Sequence, residues 1–477
     1  MLTRLEVKGF KNLIDLTVDF GPFTCIAGPN GVGKSNVFDA IEFLSLLATE
    51  TLPEASRKVR DIADGRIGDP RDLFWDGYHG DEHRMTLCAE MIVPSEVTDD
   101  FGASAQATTT FLRYEVSLGY TKASDEASVG RLTLLSERLV HITRGEAPKH
   151  LRFKHSKARF RDRVVLGERR GGPFISTDTS TDSVIINVHG DGGSRGRPQP
   201  RPALGAGRTI VSTVVTVDQP TILAARQEMQ SWRRLALEPS ALRTPNSFSD
   251  ARVLGADGSH LAGTLYRVTQ HAGEGSGPAT EAATYARIAG RLADLADLGV
   301  DTLEVEPDPV RESLTLFLHE RSGLRLPARA LSEGTLRFLA LCVLLEDPTV
   351  GGLICMEEPE NGIHPANLEA MIQLVRELAV DPQQEPAEAN PFRQVIVNTH
   401  SPGVVTLCSG EDVLLAETRP QVAPNGHIVK ALALLPLAGT WRSADARPVA
   451  HISDLLPYVT APPGRQLRLP EDLEHTG

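Results

Sequence analysis

The sequence is short of several things, and each shortage closes off a class of function. Its 477 residues include five cysteines, Cys25, Cys88, Cys342, Cys355 and Cys408, scattered without a CxxC pair. A disulfide framework or a cysteine-based metal site is therefore not expected. Cys25, Cys342 and Cys355 sit inside apolar runs and read as buried thiols. No run of about 18 apolar residues occurs, and the start, MLTRLEVKGFKN, alternates like a strand instead of placing a basic segment before an apolar one. The expectation is a cytoplasmic protein with no membrane partner. Positive charge is also scarce: 62 acidic residues against 49 basic give a formal net charge of −13. No bulk field then draws the chain to nucleic acid, and any DNA contact has to be local. Heptads do not persist, so a long coiled-coil arm is not expected either.

What is there begins with a strand, loop, helix unit. Leu5, Val7, Leu16, Val18 and Phe20, followed by FTCIAG, pattern as two or three strands. A glycine-rich loop follows, and from Ser35 onward Val37, Phe38, Ile41, Leu44 and Leu47 recur at helical spacing. Between about residues 50 and 325 the character changes. The β-rich patches MTLCAEMIVP, TFLRYEVSLGY, TLLSERLVHI and SVIINV alternate with loose stretches such as GDGGSRGRPQPRP, the pattern of an inserted lobe with surface loops. Arg195, Arg197, Arg201 and Arg208 make that region a local basic candidate for a phosphate backbone, although solvated linkers share the composition. Gln227 to Leu237 and Tyr285 to Leu298 pattern as helices. A strand returns at TLFLHE, a helix runs from Ser332 through FLALCVLLE, and LICM and QVIVNT read as buried strands. Beyond about residue 418 the chain reads as short and loop-like. The expected division is 1–50 and 311–418 as two parts of one α/β head, 51–310 as a β-rich subdomain with an inserted lobe, and 419–477 as a short extension.

The loop Gly28, Pro29, Asn30, Gly31, Val32, Gly33, Lys34, Ser35 fits the P-loop pattern GxxxxGK[ST], with the strand before it and the helix after it that the pattern requires. Its glycines let backbone N–H groups face a triphosphate, and the helix N-terminus adds positive potential where the anion sits. Lys34 is expected at the β- and γ-phosphates and the Ser35 hydroxyl on magnesium, with ATP as the nucleotide. Downstream, ICMEEPE sets two carboxylates at the end of a buried strand, where adjacent acids are costly without a cation or proton. Glu357 is read as the magnesium-side acid. Glu358 is read as the general base that orients the attacking water. LSEGT offers a hydroxyl at Ser332, a backbone N–H at Gly334 and a helix N-terminus, with Glu333 between them; the same residues also make an ordinary N-cap with an acidic first turn. His400 ends the strand QVIVNT and is a candidate sensor of the γ-phosphate. Asn361, Gly362 and His364 in ENGIHP form a loop that would join the hydrolytic acids to a partner head.

Taken together, GFKN, GPNGVGKS, ARALSEGTLRFLAL, MEEPENGIHP and VNTHSP resemble the ABC-type predicted ATPases grouped with the OLD (overcoming lysogenization defect), RecF and SMC families. Ser332 lies 25 residues before Glu357, an order and spacing those proteins share. The resemblance covers the first 50 residues and roughly 325 to 405, and leaves the middle unassigned. It implies a P-loop NTPase fold of ABC head type with an antiparallel β subdomain near the N-terminus and a mixed inserted lobe. It also implies heads that pair on ATP as a homodimer or higher oligomer. Each site would be built from Gly28 to Asn36, Glu357, Glu358 and His400 of one chain and Ser332, Glu333 and Gly334 of the other. Two departures matter. The first acid of this pattern is usually Asp, not Glu357. The 77 residues after His400 hold no convincing DxD, so the nuclease (TOPRIM) centre of OLD proteins is not expected. The resemblance therefore implies an ATPase that controls a separate effector protein, such as a TOPRIM-type nuclease or a toxin, in anti-phage defence or DNA maintenance. The alternative is a RecF- or SMC-like clamp in which ATP gates DNA binding.

Overall fold

The computed structural model describes residues 1–59, 69–76, 83–122, 130–167, 171–180, 183–191, 198–273, 278–296, 299–423, 426–444 and 448–455. Two sheets dominate. The first has eight strands, every pair antiparallel. In spatial order they are Gln199–Pro202, Ile185–Val188, Ile175–Asp178, Arg131–His141, Phe111–Thr121, Arg84–Ile92, Leu2–Phe10 and Leu13–Asp19. The four β-rich patches of the sequence all fall in this sheet, together with the two N-terminal strands. Alternation makes it: in Leu13–Asp19 the residues Leu16 and Val18 point inward while Asp15 and Thr17 are exposed.

The second sheet has six strands in the order Arg233–Leu235, Gly352–Glu357, Arg393–Thr399, Phe23–Ala27, Val413–Val422 and Ile428–Pro436. Its first five strands run parallel and the last closes the edge antiparallel. A parallel sheet is covered on both faces, so its strands read as unbroken apolar runs, and LICM and VIV are of this kind. Register then sets the site. Glu357 pairs with Asn398, Asn398 with Ile26, and Thr399 with Ala27, so three strands end together at one edge. The helix Lys34–Leu47 packs Phe38, Ile41, Phe43 and Leu44 into a core shared with Leu5, Val7 and Leu87 of the antiparallel sheet. Each such fully buried side chain contributes about 1.5–3 kcal/mol.

The helix Glu333–Glu346 is docked by one buried cation at its C-terminal end. Arg393, 1% exposed, donates to the carbonyls of Leu344 (3.2 Å), Leu345 (3.1 Å), Asp347 (2.6 Å) and Val350 (2.7 Å). A cation there satisfies helix carbonyls that have no partner within the helix and complements the dipole. Because Arg393 opens the strand that ends at Thr399, helix and strand are held in one register.

Two expectations are corrected. Gln227 to Leu237 is not one helix: Pro220–Gln230 is helical, and Arg233–Leu235 is a strand pairing with Ile354 to Met356. The chain after 418 is not loop-like, since Val413–Val422 and Ile428–Pro436 form a hairpin along the parallel sheet. Helices over Pro278–Ala296 and Glu333–Glu346 agree with the periodicity, and Ser332 is the N-cap of the second, accepting from Thr335 N at 3.1 Å. Of the basic stretch, Arg195 and Arg197 lie outside the described residues. Arg201 is exposed on the edge strand, and Arg208 bonds the Thr49 carbonyl at 2.9 Å. Cys25, Cys88, Cys342 and Cys355 are buried, and burial pushes the Cys342 thiol up to about 12, which removes its reactivity at neutral pH.

Candidate nucleotide site

The loop Gly28 to Gly33 leaves the strand Phe23–Ala27 and turns into the helix Lys34–Leu47. Gly28 N donates to Thr399 O at 3.2 Å, which ties the loop to the neighbouring strand. Gly33 is the helix N-cap at φ 102°, and a Cβ there would lie 2.1 Å from Asn12 Nδ2. Only glycine fits both constraints. The cap supplies no side-chain oxygen and the first turn has no acid, so neither competes with an anion for the first N–H groups of the helix. Asn12 braces the turn. Its Nδ2 donates to Val32 O (2.9 Å) and its Oδ1 accepts from Asn36 Nδ2 (2.7 Å).

Lys34 is buried, and its ammonium donates to the loop carbonyls of Gly28 (2.7 Å) and Pro29 (2.9 Å). Burial lowers its pKa, while Glu358, Glu360 and Glu357 pull it back up. A pocket of about 290 Å³ opens beside it, lined by Asn30, Gly31, Gly33, Lys34, Ser35, Asn36, Glu357, Glu358 and Asn398. P-loop residues, one cation and two acidic residues thus line a common space.

Glu358 is held in the left-handed region at φ 44°, a conformation that costs about 1–3 kcal/mol and persists only where neighbours impose it. Those neighbours are Asn398 O and Asn398 Oδ1, both 3.1 Å from Glu358 N. The turn aims the carboxylate at two donors: His400 Nδ1 at 2.7 Å from Oε1 and Asn361 Nδ2 at 2.8 Å from Oε2. Since a carboxylate only accepts, the proton of that His400 contact is on Nδ1. Glu357 lines the same pocket but has a different partner, its Oε1 lying 2.6 Å from Arg234 Nη2. This oxygen is buried and makes no aligned hydrogen bond, so charge alone holds it. A hard carboxylate oxygen in that condition, with Ser35 lining the same pocket, suits a magnesium ion. Glu360, 7% exposed, accepts from Thr399 Oγ1, and its Oε2 has no hydrogen-bond partner; burial raises its pKa.

The geometry therefore brings together the P-loop, Glu357, Glu358, Asn361 and His400. Ser332, Glu333 and Gly334 are apart from it. They do not line the pocket, Ser332 and Glu333 are exposed, and a Cβ added to Gly334 would lie 3.4 Å from Gly362 O. His364 is also exposed and caps a short turn by accepting from Ala366 N at 3.2 Å. Sequence reasoning missed Asn12, Arg234, Glu360 and Asn398. A polar pair between strands (Lys11, Asn12) and a lone acid on the apolar helix face (Asp39) were the available signals. A larger cavity of about 650 Å³, lined in part by Phe23, Phe153, Arg376, Asp412 and Trp441, lies at the other end of the P-loop strand. Four of its charges pair with one another, Arg376 with Asp412 at 2.7 Å and Lys154 with Glu411 at 2.7 Å.

Residues 216–406 match the family model described as "AAA domain, putative AbiEii toxin, Type IV TA system", and residues 1–58 match "RecF/RecN/SMC N terminal domain". The second stretch contains the P-loop and the first contains Ser332, Glu357, Glu358 and His400. Among curated relatives, an OLD nuclease of Thermus scotoductus is 48% identical over 44 residues, 9% of this chain and 8% of that protein. The DNA replication and repair protein RecF of Phocaeicola vulgatus is 36% identical over 61 residues, 13% of this chain and 16% of that one. The chromosome partition protein Smc of Halothermothrix orenii is 51% identical over 45 residues, 9% and 4%. The chain thus spans under a fifth of each relative's length. Among solved structures, an Smc head bound to the C-winged helix domain of ScpA shares 15% identity at a TM-score of 0.43, over 91% of this chain and 98% of that one. The SMC head domain from Thermotoga maritima shares 14% at 0.32, over 91% and 98%. Family matches on both halves of the site, reinforced by the short but close alignments, show that the chain carries AAA/ABC-type ATPase domains with weak homology to OLD nuclease, RecF and SMC proteins.

Proposed function

We propose that the chain binds ATP with magnesium at the P-loop pocket, hydrolyses it with Glu358 as general base, and closes two heads face to face around the nucleotide. The observation that carries this is the Glu358 carboxylate, fixed by His400 and Asn361 at the rim of a pocket that also contains Lys34. Lys34 exchanges the loop carbonyls for the β- and γ-phosphates. Ser35 and Glu357 would hold the magnesium ion, which supplies neutralisation of phosphate charge when bound. Glu358 orients a water and takes its proton, while His400 steadies that carboxylate and reports on the γ-phosphate. The exposed Ser332, Glu333 and Gly334 act on the nucleotide of the facing head, their helix N-terminus meeting the γ-phosphate. Closure of this kind would control a separate effector protein, a nuclease or toxin.

The test is Glu358→Gln, which keeps shape and removes the base. This variant should bind ATP with magnesium, lose turnover on the order of 10²–10⁴-fold, and sediment as an ATP-dependent dimer. Adding Ser332→Arg should return it to monomer with nucleotide still bound. Wild-type turnover in Glu358→Gln would reassign the base; a dimer that tolerates Ser332→Arg would remove the facing-head role.

A further inference from the structure

Arg234 lies against the magnesium-side acid and is bonded to carboxylates from two elements. Its Nη2 lies 2.6 Å from Glu357 Oε1, and its Nη1 lies 3.0 Å from Asp39 Oδ1 and 3.2 Å from Glu42 Oε2. Asp39 is fully buried and also accepts from Lys11 Nζ at 2.7 Å. Among the described contacts, three carboxylates, Asp39, Glu42 and Glu357, thus surround Arg234, with Lys11 on Asp39 and Lys34 within charge range of Glu357. Two of those carboxylates sit on the P-loop helix and the third ends the strand Gly352–Glu357, which pairs with the strand of Arg234.

We infer that Arg234 is an internal stand-in for the divalent metal: it holds Glu357 in the nucleotide-free head and competes with the ion for that carboxylate. The inference rests on Glu357 being the metal-side acid proposed above, and adds a residue that sets how readily the metal loads. Charge and geometry both support it. When an ion takes Glu357, Arg234 and Lys11 are left facing Asp39 and Glu42, two cations with two anions, so the guanidinium need not leave the site. It has only to give up one of three partners. The contact it gives up is the one without an aligned hydrogen bond at the Glu357 oxygen, whereas Asp39 and Glu42 both accept true hydrogen bonds from Nη1. The competition is also built into the fold. Arg234 sits on a strand entered from the helix Pro220–Gln230, and that helix is tied to the rest of the molecule by Thr221 Oγ1, which accepts from Thr108 N at 2.9 Å, and by Gln227, which donates to Thr98 O at 2.7 Å. A positively charged group fixed beside a carboxylate lowers its affinity for a second cation, and neighbouring charges of this kind shift proton affinities by roughly 10–1000-fold.

The experiment uses manganese(II) alone as the probe, titrated into the full chain without nucleotide and followed by the electron paramagnetic resonance of the free ion. Arg234→Gln should bind manganese about tenfold more tightly than wild type, and adding Glu357→Gln should erase the gain. Arg234→Lys, which keeps a charge but cannot span the same carboxylates, should give a smaller gain in the same direction and covers the case in which Arg234→Gln fails to fold. Unchanged or weaker manganese binding in the folded Arg234 variants would overturn the inference. So would a gain that survives Glu357→Gln, because the ion would then be elsewhere. ATP binding by the wild-type chain, measured alongside, fails separately if the nucleotide reading is wrong.

Discussion

The two most buried acids of the antiparallel sheet, Glu90 and Glu137, are treated differently from the acids at the end of the parallel one. In the antiparallel sheet Glu90 is matched by Arg113 Nη1 at 3.0 Å and His150 Nδ1 at 2.7 Å. Glu137 there accepts from the backbone N–H groups of Ile210 (2.6 Å) and Val211 (2.9 Å) and from the Tyr114 hydroxyl (3.2 Å). At the edge of the parallel sheet, Glu357 and Glu360 each keep a buried oxygen with no hydrogen bond, and Glu358 occupies a left-handed backbone conformation. A satisfied buried acid ties strands together. An under-satisfied one, beside a glycine-rich loop and a buried lysine, leaves room for a ligand to complete it.

The comparison breaks most severely if the cation on the ligand side is removed. Lys34→Ala should weaken ATP binding about a hundredfold or more, measured by equilibrium dialysis, because the phosphates lose the buried ammonium that faces them. Overall stability should change little, since Lys34 bonds two loop carbonyls that water can reach once the side chain is gone. Undiminished affinity would mean that the pocket is not a triphosphate site.

The antiparallel side should respond in stability instead. Burial holds the Glu137 carboxyl up to about 7, against an ordinary value of 4.5. The folded state therefore binds this proton more tightly than the unfolded one. Its stabilising contribution is complete below about 4.5 and is lost as pH rises through about 7. Glu137→Gln should flatten that part of the pH dependence of melting. It should also cost about 1–3 kcal/mol, because an amide cannot accept from both Ile210 N and Val211 N. ATP affinity should be unmoved. A variant as stable as wild type, with the same pH profile, would show that Glu137 is not the tie it resembles.

The sequence made the two sheets unequally legible. The P-loop is contiguous, so its residues carry their own geometry, and Glu357, Glu358 and His400 follow apolar strands whose ends the parallel register aligns. Arg234 lies 123 residues before Glu357 and inside a stretch with helical spacing, QEMQSWRRLAL. Pairing of Arg233 with Ile354 overrides that spacing, and Ser231 packs so closely on Gly352 that a Cβ there would lie 1.9 Å from its Oγ. Tertiary pairing of this kind leaves no local trace. Asn12 was visible only as part of GFKN; its role depends on a turn twenty residues later. The hairpin after 418 was hidden because its tip runs past the sheet, leaving Val422 70% and Ile428 74% exposed, with Pro420 inside the strand. Such strands lose the two-sided apolar signature that marks LICM and VIV.

The most direct test of the ligand-completed site is the melting temperature of the wild-type chain with ATP and magnesium together, with each alone, and with neither. A ligand that completes the parallel-sheet acids stabilises the folded state by mass action, by about 2.7 kcal/mol at a hundredfold excess over its dissociation constant. The expected result is a rise of several degrees that requires ATP and magnesium together, with little from either alone. A melting temperature indifferent to ATP and magnesium at millimolar concentration would contradict it.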